Sequence, residues 1–431
     1  MLDAALPLCD EVNAQLQAWE CGSMAKIIGG AEENGKKVGK EGKVLASGFD
    51  SLNLSLMIIW KHDGFFQLLK KLKADAMAQG VAMPGKIEAG ADSWIFNVQP
   101  HGSEGYAYLL ESHDYYIKLI EKMSPTRRPS IIEIRSVTLW HTGVIEAVDR
   151  ILTLLQAQGA DTVKVMSCRG DPCMDILVQD AIWKEELLKH AVKRAHHTGM
   201  YHDNGLLEGI TIGKGNIQAR LYDKPHEILT KSKKTWMYDI WGIKEVPPGY
   251  RVIRVEFQIR REVFVELGID TVWHLLNHPR KLWAYCTENW LKFQNHTELH
   301  HTQQKPMPWW KTVQNNFLGG QRECPLVRAK AVAATKIQIA QQLFGQINSL
   351  LALEADSNIK PGGEIQIEEP LSKVIESAAL IKMTPEQTHE RVRRKKAKYT
   401  KTTEKFDEVN EYRKQNGLPY IQRPDVKGGA K

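Results

Sequence analysis

The stretch that decides the fold runs from Gly209 to Arg261, opening with GITIGKGNIQARLYDKPHEI (209–228) and closing with YRVIRVEFQIRR (250–261). Both ends alternate apolar and polar residues, the period-2 pattern of half-buried strands. Ile217, Ala219 and Leu221 fall on one face, with Gln218, Arg220, Tyr222 and Lys224 on the other. In the second strand Val255, Phe257 and Ile259 point to a core, while Arg254, Glu256, Gln258 and Arg260 share the opposite face. Placed side by side, these strands gather a tyrosine, a carboxylate and several cations on one surface. Such a set can attack a phosphodiester: a phenolate is a competent nucleophile, and cations stabilise the charge that develops.

Upstream, VKVMSCRGDPCMDILV (163–178) sets Arg169, Asp171, Cys173 and Asp175 at every second position, so one strand would present both carboxylates on one face. Two adjacent acids repel, and a divalent cation relieves the repulsion. Hard Mg²⁺ or Mn²⁺ prefers such oxygen ligands and keeps water for a phosphate to displace.

The ordered trio RxDxxxD (Arg169, Asp171, Asp175), R-L-Y-D-K (Arg220–Lys224) and R-V-E-F-Q-I-R (Arg254–Arg260) resembles the Rep_trans replication-initiation-factor family, over roughly residues 45 to 315. That family comprises rolling-circle initiators of plasmids and phages and related relaxases of conjugative elements. The resemblance implies a site-specific nick in one DNA strand, a 5′-phosphotyrosine intermediate and a later joining step. It implies Tyr222 as nucleophile, Arg220 and Lys224 beside it, and Glu256 joining Asp171 and Asp175 around the metal. Arg254 and Arg260 would contact DNA. It also implies an origin or nick site as partner, a host helicase and a possible homodimer. One departure stands out: plasmid members often carry a second tyrosine a few residues after the first, and here His226 occupies that place, with Glu227 next to it. Histidine can itself attack phosphorus. Two further readings stay open, an origin-binding protein without catalysis and a metal-dependent nuclease that uses water.

Four hundred and thirty-one residues suffice for two or three domains with sizeable cores. A composition 42% hydrophobic and 25% charged is that of an ordinary soluble protein, and a formal charge of +7 favours a polyanionic partner. The six cysteines form no CxxC pair or zinc spacing, so reduced thiols are expected. The longest apolar run, Leu52–Trp60, is too short for a membrane span, and the first residues lack the pattern of a signal sequence. The cytoplasm is the expected compartment.

Residues 1–44 pass from a short helical piece into the Gly/Lys-rich GGAEENGKKVGKEGK, expected to be flexible. The fold is expected to begin at GFDSLNLSLMIIW (48–60), followed by a helix, strands at 94–100 and within 104–122, and the strand PSIIEIRSVTLW (129–140). GVIEAVDRILTLLQAQG (143–159) reads as a helix closed by Gly159. The second half repeats the plan, with a helix expected over 181–197 and a hairpin around GKGN (213–216). IIEIRSVTLW (131–140) corresponds to IRVEFQIRREVF (253–264). The predicted fold is therefore α+β. Two similar halves, each an antiparallel sheet with helices on one face, span 45–160 (scaffold or DNA surface) and 161–315 (catalytic).

In HPRKLWAYCTENWLKFQNHTELHHTQQKPMPWWK (278–311), His296, His300 and His301 suggest a metal site, though scattered loop histidines seldom form one. Trp309 and Trp310 could stack on unpaired bases or pack this segment on the sheet. From 326 to 416 the pattern is helical and basic, with Thr384 and Pro385 starting a helix that carries Arg391, Arg393, Arg394, Lys395, Lys396 and Lys398. These cations suit phosphate contact or a solvated face. Residues 417–431 read as a disordered tail.

Overall fold

In the computed structural model, β1 (Lys43–Trp60) and β7 (Ala160–Gln179) are the two longest strands and pair antiparallel at the middle of the main sheet. The structure describes residues 38–328, apart from 91, 123–128 and 296–303, together with 343, 410–411 and 413–415. The six basic residues from Arg391 to Lys398 and the three histidines at 296, 300 and 301 lie outside the described residues. Contacts divide the chain into two units, 1–326 and 327–431. The main sheet and its helices belong to the first.

That sheet has eleven strands in the order β2-β3-β4-β5-β6-β1-β7-β12-β11-β10-β9, all pairs antiparallel. On the β1 side lie β2 (Met83–Ala89), β3 (Asp92–Val98), β4 (Tyr108–Glu111), β5 (Tyr115–Leu119) and β6 (Ser130–Ile134). On the β7 side lie β9 (Thr198–Asp203), β10 (Leu206–Ile212), β11 (Ile217–Asp223) and β12 (Tyr250–Arg260). In both halves the first strand sits at the centre, the chain crosses to the outer edge, and the strands return inward until the last pairs with the first. This is the mixed α+β architecture the alternation predicted, and the two halves share one topology within one continuous sheet.

Register aligns the halves residue by residue. Ile134 pairs with Leu52 of β1, and Ile259 with Gly170 of β7, so Ile134 and Ile259 are counterparts. Counting from them, the cross-strand pair Arg220↔Glu256 has the counterpart Lys118↔Ile131. The same count sets Tyr222 against Ile120. A cation survives in the first half, whereas the tyrosine and the carboxylate do not.

Helices pack on both faces: α1 (Gly64–Gln79) on β2 and β3, α2 (Ser136–His141) on β1, and α3 (Val144–Ala157), on the face opposite α2, on β2, β3 and β7. α3 is apolar at helical spacing and buries Val148, Ile151 and Leu155 completely. Past α4 (Lys224–Glu227) and α5 (Met237–Trp241), α6 (Arg261–Glu266) and α7 (Val272–Asn277) reach β7, followed by α8 (Pro279–Ala284) and α9 (Pro308–Asn315).

One expected helix is absent, one hairpin is additional, and the tryptophan pair takes the packing role. Residues 181–197 are not an α-helix. They form two 3₁₀ turns and the short β8 (Ala191–Lys193), because pairing with β13 (Leu291–Phe293) overrides helix propensity there. The β9–β10 hairpin went unrecognised, although its turn Asn204-Gly205 has φ of 50° and 78°, as a two-residue turn of this hand requires. Trp309 and Trp310 are core residues, 1% and 0% exposed against Phe293, and are closed to base stacking.

Candidate active site

The face of the sheet opposite α3 carries the site. Arg220 and Tyr222 leave β11 on that side, and β12 supplies Glu256 across from Arg220. Gly209 of β10 pairs with Tyr222 on its other flank, and a Cβ at Gly209 would come within 3.4 Å of the Tyr222 Cβ. The missing side chain leaves that side of the tyrosine open. The result is a cavity of about 330 Å³, lined by Tyr201, Arg220, Tyr222, His226, Glu227 and Lys231.

Beside this cavity the Tyr222 hydroxyl donates to the buried Glu256 at Oε2, 2.9 Å away, and Arg220 Nη2 lies 2.6 Å from Glu256 Oε1. The same Arg220 nitrogen is 3.1 Å from Asp171 Oδ2, and Arg169 closes on Asp171 from the other side. Lys224 begins α4 instead of extending the strand. Its Nζ sits 5.4 Å from the Tyr222 ring centroid and donates to Glu227 Oε2 at 2.6 Å, which also accepts from Ser232. His226, on α4 beyond Pro225, faces two carboxylates, Glu208 at 3.1 Å and Asp203 at 3.4 Å.

Burial sets the protonation of the group. It pushes the Glu256 carboxyl up to about 7, with nearby Asp50 adding to the effect and Arg220 opposing it. Burial, then the Glu256 charge, holds the Tyr222 phenol well above its ordinary value, so the hydroxyl keeps its proton and donates it. Burial and then Arg254 pull Lys224 down, and burial raises Asp171 despite Arg169.

The folded chain therefore retains a proton on Glu256 between its ordinary 4.5 and about 7, where the unfolded chain has released it. Stability from this group is complete below about 4.5 and is lost as pH rises through about 7. The urea midpoint of the protein is expected to fall over that interval, and Glu256→Gln is expected to show a shallower fall. Parallel slopes in the two proteins would refute the assignment.

Arg254 and Asp175 are not at an open surface. The β12 face bearing Arg254 is covered by Met237 and Trp241 of α5 and by Trp140 of α2, in one apolar cluster with Val252 and Cys173. Arg254 is fully buried, and its guanidinium grips both Asp175 oxygens at 2.6 and 2.7 Å and Asp50 at 2.6 Å. Trp241 Nε1 adds a bond to Asp175 at 2.8 Å. In this structure Arg254 is thus closed to DNA, whereas Arg260 is exposed at the end of β12. The three acids named for a cation are held separately, Asp175 by Arg254, Asp171 by two arginines and Glu256 by Arg220 and Tyr222. As arranged they do not fit Mg²⁺ or Mn²⁺, and no group of three metal-ligating side chains is placed to do so among the described residues.

Sequence reasoning missed Asp50, Met237 and Trp241. Met237 and Trp241 are four apart, the spacing of one helix face, in the stretch between the two quoted segments, where no element was expected.

No family model and no curated protein matches the chain. A solved structure of the rolling circle replication initiator protein from Geobacillus stearothermophilus is similar over 64% of this chain and 98% of that one, at 13% identity and a TM-score of 0.39. Among the described residues no helix is long and apolar enough to cross a membrane.

Proposed function

We propose that this chain cuts and rejoins one strand of DNA through Tyr222, acting as a rolling-circle replication initiator or relaxase. The observation that carries the reading is the 2.9 Å hydrogen bond from the Tyr222 hydroxyl to Glu256, with Arg220 and Lys224 close by and a cavity that Tyr222 and Arg220 line. A strand tyrosine with a merely structural role needs no carboxylate poised near neutrality beside it.

The phenol oxygen attacks phosphorus and its proton passes to Glu256. The bond from phosphorus to the 3′ oxygen breaks, leaving the 5′ phosphate on Tyr222. Lys224, whose ammonium is made more acidic by burial, gives its proton to the departing 3′ oxygen, while Arg220 balances the charge gathering on the phosphate. Rejoining runs the same steps backwards. These steps use only side chains of the chain itself. Adduct formation that stops in EDTA and returns with Mn²⁺ would instead put a cation where Arg220 bridges Asp171 and Glu256. A host helicase and a second copy of the chain belong to the same proposal.

The test is incubation with a supercoiled plasmid that carries the DNA neighbouring the gene. A covalent protein–DNA adduct supports the reading. Cleavage without an adduct would mean a nuclease using water, and specific binding without cleavage an origin-recognition protein.

A further inference from the structure

A second cavity, about 590 Å³, opens on the same face of the sheet across the seam between the halves. Its walls alternate in charge, with Arg135, Arg169 and Lys234 facing Asp50, Glu111 and Glu133, and Trp236 beside them. Glu133 is the last residue but one of β6, and Arg135 stands two residues later in extended backbone, so both side chains leave on one face.

Two polar groups here are unused. The Glu133 carboxylate makes no hydrogen bond or salt bridge among the described residues, its backbone alone pairing in the sheet. The Arg135 Nε is buried without a partner, although its Nη2 donates to Glu111 at 2.7 Å. A phosphate would find each cation already paired, Arg135 with Glu111, Arg169 with Asp171 and Lys234 with Asp50, and would meet the Glu133 carboxylate unneutralised. A nucleobase needs what is present: an acceptor, a donor and a flat wall.

Resting on the strand-transfer reading above, we propose that this cavity holds one base of the substrate strand and that the base is guanine. The adjacent N1–H and N2–H₂ donors of guanine match the two oxygens of Glu133, its O6 and N7 accept from a guanidinium, and Trp236 offers a stacking surface. Adenine and cytosine present one donor group to a carboxylate instead of two adjacent ones. The cavity is wired to the tyrosine through Arg169, Asp171, Arg220 and Glu256. Four strand spacings separate β6 from β11, roughly 19 Å, so the base read lies a few nucleotides from the phosphate attacked.

The test uses short oligothymidylate strands with one dG stepped along the length, and the same strands with deoxyinosine in place of dG, which lacks the N2 amine. At one position dG is expected to tighten binding of the wild-type protein about tenfold or more over dT, and deoxyinosine to forfeit most of that gain. Glu133→Gln is expected to erase the difference between dG and dT strands. Equal affinity for all three strands at every position, in a protein that does bind single-stranded DNA, overturns this proposal alone. Absence of binding to any strand overturns the strand-transfer reading and this one with it.

Discussion

Tyr222→Phe is expected to abolish the covalent protein–DNA adduct, lowering strand cleavage by on the order of 10⁴-fold or more, as removal of a catalytic nucleophile does. The substitution keeps the ring and its packing and deletes only the hydroxyl that donates to Glu256. Glu256 still has Arg220 at 2.6 Å, so the fold should lose no more than about 1 kcal/mol, the net worth of one hydrogen bond. His226→Ala is expected to slow the reaction at most. The imidazole is turned to Glu208 and Asp203 and stands on α4, past the end of the strand that fixes Tyr222. Misplacing a nucleophile by about 1 Å costs on the order of 10²-fold. The adduct itself discriminates the two side chains, since an aryl phosphate ester withstands acid and a phosphohistidine does not. An acid-labile adduct that persists in Tyr222→Phe would make His226 the nucleophile.

Asp175→Ala is expected to act on the fold, costing about 3 to 5 kcal/mol by leaving the buried Arg254 short of its main counter-charge. Asp50 still holds that guanidinium at 2.6 Å, which places the loss toward the lower end. Replacing both partners by apolar groups, Asp175→Leu with Arg254→Met, should cost less than either single truncation, because no charge is then stranded. Denaturant midpoints of the three variants test this. An Asp175→Ala protein as stable as wild type but unable to cleave DNA would restore Asp175 as a ligand at the reacting phosphate.

Alternation of side chains carried much of the site in advance. Arg220, Tyr222 and Glu256 were expected on one face, and register puts Arg220 opposite Glu256, because a period of two admits no other side once Leu221 and Phe257 are buried. The repeated plan of the halves was likewise visible in the resemblance of 131–140 to 253–264, which are the last strand and following helix of each half. Alternation could not say whether the polar face stays open. Arg254 and Glu256 look alike in a strand pattern, yet one is sealed under Trp241 and the other receives the tyrosine's hydrogen bond. The partner that decides the difference, Asp50, lies more than two hundred residues away in β1, and Trp241 lies in a segment whose polarity concealed it. Such choices belong to tertiary packing and leave no local trace.

The seam between β1 and β7 joins two halves of which only one carries the tyrosine. Two strands, each the first of its half, meet antiparallel around Leu52 and Gly170, the contact that two identical subunits would make by joining edge to edge. Two identical subunits joined in this way would present two tyrosines, whereas this chain has Ile120 at the place that corresponds to Tyr222. On the chemistry proposed above, each molecule can hold a single DNA end at a time. Releasing a finished circle, which needs a second transesterification, then requires either that the first end be handed back or that another molecule arrive.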